Sequence, residues 1–137
     1  MQKVKALCIG EMTENRLSVP TLECLNFISN LAFVSKIKLI LIFEQCDEKI
    51  ENLQINGIDE ITCIEGDSLI SYNPETYSES IYQYLNLNND DLPELIAIPY
   101  TIHGMEIGPL IAFKLNLPLI TFVKKISIAE NGNWLIS

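Results

Sequence analysis

His103 is the only histidine of the chain and stands in the stretch Pro99-Tyr100-Thr101-Ile102-His103-Gly104. An imidazole titrates near neutrality, so in a loop facing a bound molecule it could serve as a general base or proton shuttle. Nucleophilic catalysis needs more than that: a serine or cysteine beside the base and a carboxylate to orient it. The sequence sets no such nucleophile beside His103, which therefore reads as a loop-packing or solvent-facing residue, and the chain as a non-enzyme. Phosphate chemistry would show elsewhere. A dinucleotide fold carries Gly-x-Gly-x-x-Gly after its first strand, because glycines let the backbone close around a pyrophosphate. Here the corresponding stretch is Gly10-Glu11-Met12-Thr13-Glu14-Asn15, and Gly-x-x-x-x-Gly-Lys-Ser/Thr occurs nowhere. Glu11 and Glu14 place negative charge where a phosphate would sit.

Cys8, Cys24, Cys46 and Cys63 include no Cys-x-x-Cys pair and have no histidine near them, which argues against zinc or a redox pair. Cys8 and Cys63 fall in apolar strand-like runs and Cys24 on a helical stripe, so the four read as small buried hydrophobes with reduced, intracellular thiols. Glu75, Glu79 and the run Asn89-Asp90-Asp91 match no calcium loop and read as a solvated acidic rim, leaving no metal site.

The elements that must position these residues follow one another regularly. Val4 to Ile9 is an apolar run halted by Gly10, the first expected strand. Apolar residues at Leu22, Leu25, Ile28 and Leu31 recur at helical spacing between Pro20 and Val34, with Pro20 suited to a first helical turn. Ile37 to Phe43 is apolar except at Lys38, as a strand covered on both faces would be. A short helix carrying Ile50 and Leu53 is expected next, ended by Gly57, and then an alternating, β-branched third strand over Glu60 to Glu65, near the sheet edge. Asn73-Pro74-Glu75 supplies a cap, a proline and an acid at a helix start, with Tyr77, Ile81, Tyr84 and Leu85 on its buried face and Tyr82 pointing elsewhere. Leu95 to Ile98 reads as a fourth strand, Met105 to Leu115 as a fourth helix, and Leu119 to Val123 as a fifth strand. Asn131-Gly132 marks a turn between Lys125–Ile128 and Trp134–Ile136, hence a closing antiparallel hairpin. Trp134 could pack within this domain or against something beyond the hairpin.

Five strands alternating with four helices predict an α/β fold: a three-layer, Rossmann-like, mostly parallel sheet of order 3-2-1-4-5. In such sheets ligands sit at the strand C-termini where strand order reverses. The candidate crevice is therefore formed by Gly10, Glu11, Thr101, His103 and Gly104. With 137 residues the chain bounds a single domain, 1–137. It is 48% hydrophobic and 20% charged, which excludes disordered and collagen-like classes. Nine basic residues against eighteen acidic ones give a net charge of −9, which repels nucleic acid and anionic membrane surfaces alike. The run Ile37 to Phe43 is about a third of a membrane span. A soluble, cytoplasmic protein is expected.

The fourth strand and helix also resemble a known family. Leu95-Ile96-Ala97-Ile98, then Thr101, then Gly104 through Leu115 is similar to the segment of the electron-transfer flavoprotein alpha subunit that reads strand, Thr/Ser, Gly-Arg-Asp-Leu-Ala-Pro-Arg-x-Ala-x-x-Leu; Gly104, Pro109, Ala112 and Leu115 match outright. Gly10-Glu11, Gly57-Ile58-Asp59, Asp67 through Tyr72, Pro74-Glu75-x-Tyr77 and Pro118-Leu119-Ile120-Thr121 agree in order and spacing. Met105 and Leu110 replace family arginines, and Phe122 an aspartate. The resemblance implies an N-terminal, adenine-nucleotide alpha-hydrolase-like α/β domain that docks a beta-type subunit as a heterodimer. It also implies electron transfer from a flavin dehydrogenase, with no cofactor in this chain and FAD expected only if a C-terminal FAD-binding domain, absent from these 137 residues, follows. The alternative from another class is a stand-alone adenine-nucleotide-binding module using the same crevice.

Overall fold

The structure is a computed structural model, and it describes residues 3–43, 55, 57–69 and 71–137. Strand β1 (Val4–Ile9) lies between β4 (Val34–Phe43) and β6 (Leu95–Ala97), and β5 (Glu60–Glu65) flanks β4 on the far side. All three pairings are parallel. A small antiparallel hairpin, β2 (Met12–Thr13) with β3 (Arg16–Leu17), follows β1, and β7 (Ile126–Ile128) pairs with β8 (Trp134–Ile136) near the C-terminus.

Side chains alternate across a strand, so successive residues of β1 and β4 serve two different cores. Ala6, Cys8, Leu39 and Leu41 face helix α1 (Val19–Ser29) and meet Leu25 and Ile28. Leu7, Ile9 and Ile40 face the opposite way, onto Ile81 and Leu85 of helix α2 (Pro74–Leu87) and Ile107 and Ile111 of helix α3 (Ile102–Leu115). This produces three layers: α1, the sheet, and the α2–α3 pair. The near-continuous apolar runs of β1 and β4 are a consequence of that double covering. Helix starts follow their caps. Asn73 accepts hydrogen bonds from the backbone N–H groups of Glu75 and Thr76, and Ser18 accepts one from Thr21 N.

The structure corrects several expectations. Residues 119–123 form no strand. Pro118 has no N–H to donate and Phe122 takes φ 56°, a left-handed conformation that breaks an extended run. The four-stranded sheet therefore ends at β6. Helix α1 stops at Ser29, where Asn30 caps it, and Val34 already belongs to β4. Helix α3 starts at Ile102, three residues earlier than expected. The hairpin β2–β3 was not legible. Its turn rests on Glu14 and Asn15, both at positive φ, without the Asn-Gly or Asp-Gly pair that usually marks it. Cys8 and Cys24 are free, but Cys63 is disulfide-bonded, against the expectation of reduced thiols throughout. The short helix expected around Ile50 and Leu53 lies outside the described residues. Among the described residues no helix is long and apolar enough to cross a membrane.

Candidate functional site

Strand β1 has β4 on one side and β6 on the other, so the chain leaves its central strand where the connections diverge. Gly10 and Glu11 emerge there, and residues 99–104 leave the end of β6 beside them. Gly10 is tightly packed: a Cβ would stand 2.7 Å from Leu39 Cδ1, so a larger residue would make the Leu39 side chain shift. Glu11 is then fixed by its backbone. Its N–H donates to Thr21 Oγ1 at 2.9 Å, and its carbonyl accepts from Ser18 N at 2.9 Å. Ser18 Oγ and Thr21 Oγ1 lie 2.8 Å apart, and both residues are buried. The loop is thereby tied to the start of α1.

The Glu11 side chain reaches the other helix. Thr101 caps α3, accepting from Gly104 N at 2.9 Å, and its hydroxyl donates to Glu11 Oε1 at 2.5 Å. A short O–H···O⁻ bond of this kind is charge-assisted. A helix N-terminus favours an anion, and here the protein's own Glu11 carboxylate lies beside it, held through the capping Thr101 hydroxyl. Gly104 is required as well: a Cβ would fall 2.0 Å from the Pro99 carbonyl oxygen.

His103, in the first turn of α3, is exposed and stacks on Tyr72 with ring centroids 3.6 Å apart and planes 12° from parallel. The Tyr72 hydroxyl donates weakly toward His103 O and Glu106 Oε1, both at 3.4 Å. Burial, then the Glu106 carboxylate, push the Tyr72 phenol up to about 12, which keeps it a neutral donor. Among the described residues no serine or cysteine is hydrogen-bonded to the His103 imidazole, which sits as one plate of an aromatic stack.

The structure thus brings all five expected residues to one end of the sheet and adds Tyr72 and Glu106. Tyr72 could not be placed from sequence, because it belongs to the turn before α2, a separate element. The Glu11 carboxylate on the Thr101 hydroxyl puts negative charge beside the start of α3, which disfavours the pyrophosphate of a flavin or adenine dinucleotide there. Two residues of the acidic rim are held in ion pairs. Asp91 meets Lys5 at 2.6 Å, and Glu79 meets Lys114 at 2.6 Å. Among the described residues no cluster could hold a metal ion. The small cavity lined by Lys5, Lys38, Tyr84 and Asp91 lies at the opposite end of the strands. Its Lys38 ammonium is held by Tyr84 Oη at 3.0 Å and Glu60 at 3.5 Å.

A parallel four-stranded sheet covered by helices on both faces, with a glycine-tight helix start beside its central strand, is the frame of an α/β domain. Residues 6–136 match the model of the electron transfer flavoprotein domain, and the chain belongs to that family. It is 25% identical over 121 residues to the electron transfer flavoprotein subunit alpha of Methylophilus methylotrophus, a match covering 87% of this chain and 36% of the relative. It is 28% identical over 128 residues to the protein FixB of Clostridium saccharobutylicum, covering 92% and 37% respectively. The chain spans little more than a third of the length of these curated relatives. Of the positions that depart from the family pattern, Met105 and Phe122 are exposed, and Phe122 packs on Tyr100 with ring centroids 4.6 Å apart.

Proposed function

We propose that this chain is the scaffold domain of an electron-transfer-flavoprotein alpha-type subunit: it docks a beta-type subunit, holds no flavin itself and catalyses no reaction. The observation that carries this reading is the family match across residues 6–136, with an alpha-subunit relative matched over about a third of its length, set beside a crevice where Glu11 puts a carboxylate on the Thr101 hydroxyl. Tyr100 and Ile102 at the start of α3 and Leu119, Ile120 and Phe122 after its end are large apolar side chains left exposed, with the Tyr100 and Phe122 rings in contact. Apolar patches of this kind mark protein contacts. An FAD domain would then be supplied outside these residues, and a cytoplasmic setting suits a carrier meeting a soluble dehydrogenase.

Co-expression with a beta-type subunit followed by gel filtration tests the reading. A heterodimer is expected, with no flavin absorbance from this chain alone. Separate elution at micromolar concentration would sink it. The adenine-nucleotide alternative predicts heat on titration with AMP or ATP; a flat titration is expected from the Glu11–Thr101 contact.

A further inference from the structure

Cys8 and Cys24 are the free thiols among the described residues, and the candidate site uses neither. Their sulfurs lie 3.8 Å apart, one in the central strand β1 and the other in the middle of α1. A disulfide needs about 2.05 Å between sulfurs, so bonding requires a further approach of less than a methyl group's width. The two differ in access. Cys8 is wholly buried between the sheet and α1, whereas Cys24 is half-buried. The Cys8 thiol donates to Cys24 Sγ, which holds the Cys24 thiol below its ordinary value; the same bond, with burial, pushes Cys8 well up. Cys24 is the less buried residue of the two and carries the thiol held closer to thiolate.

We infer that Cys8 and Cys24 form a thiol–disulfide exchange site that takes a small organic disulfide as its oxidant. Cys24 thiolate attacks one sulfur of the oxidant, forming a mixed disulfide and releasing one small thiolate. Cys8 then gives up its proton to that thiolate and attacks Cys24 Sγ, releasing the second small thiolate. Two protein thiols are oxidised to one disulfide and one small disulfide is reduced to two small thiols. The loop so closed runs from residue 8 to 24 and contains Gly10, Glu11, the β2–β3 hairpin, Ser18 and Thr21. Oxidation would pin the Glu11 loop to α1 by a covalent bond where hydrogen bonds now hold it.

The folded chain, incubated with oxidised glutathione, alkylated and digested with trypsin without reduction, tests this directly. Trypsin cuts after Lys5, Arg16 and Lys36, so the two cysteines fall on separate peptides, 6–16 and 17–36. The expected product is lighter by two hydrogens, retains no glutathione and yields these two peptides joined, a link that dithiothreitol removes. Cys8→Ser should stop with glutathione left on Cys24, and Cys24→Ser should leave Cys8 unmodified. Three results would overturn the inference: both thiols untouched in the folded chain under conditions that convert the urea-unfolded chain, glutathione retained on the unsubstituted chain without the link, or undiminished reaction of Cys8 in Cys24→Ser.

Discussion

Leu39 lies in the middle of β4 with no accessible surface, whereas Phe122, larger and as apolar, is 69% exposed in the segment after α3. Their neighbourhoods differ in the same sense. Ile40 and Leu41 are as buried as Leu39, while Leu117, Leu119 and Ile120 all keep about half their surface. Both stretches are apolar runs. One is paired in a ladder on each side and covered by helices on both faces. The other joins no sheet, though Leu119 comes near Gly108 of α3. Hydrophobicity makes a segment available for burial, and backbone pairing decides whether the burial happens.

The contrast can be broken at its strong end first. Leu39→Ala removes a side chain from a fully packed layer and should lower the unfolding free energy by about 2–5 kcal/mol, read from urea denaturation; a loss under about 1 kcal/mol would mean that the layer is not tightly packed. Gly104→Ala comes next. Its methyl group would meet the Pro99 carbonyl, and relieving that contact should cost about 1–3 kcal/mol and shift the first turn of α3, visible as changed amide resonances for residues 101–106. An unchanged spectrum would show the helix start to be loose. Phe122→Ser should change the stability of the isolated chain by no more than about 0.5 kcal/mol, as exposed substitutions do. A markedly larger loss would place Phe122 in the fold, and with it would go the picture of a face left for a partner.

Much of the frame was legible in the sequence. The first strand and the third, Glu60–Glu65, have the expected bounds, and the Asn73 cap and the Ile81–Leu85 face of α2 are as read, because each rests on a local pattern. The expected fifth strand failed for a physical reason. An apolar run of five residues fits strand and irregular chain equally well, and only a hydrogen-bonding neighbour distinguishes them. The site shows the same division. That residues 10–11 and 99–104 would converge followed from the order of elements. That Glu11 would accept from Thr101, 90 positions away, and that Tyr72 would lie flat on His103 depended on side-chain directions no spacing reveals. The nearness of Cys8 and Cys24 was hidden likewise, since strand and helix periodicities say which face a residue takes but not which residue it meets.

The C-terminal hairpin folds back onto the first half of the chain, where Trp134 sets its ring against Phe33 with centroids 5.7 Å apart and planes at 71°. Trp134 is also the sole tryptophan. Intrinsic fluorescence of this protein is therefore a local gauge: its emission maximum follows the seating of the hairpin on the turn between α1 and β4, while far-ultraviolet circular dichroism follows the sheet and helices. Two optical signals recorded on one sample separate the undocking of the tail from the melting of the core.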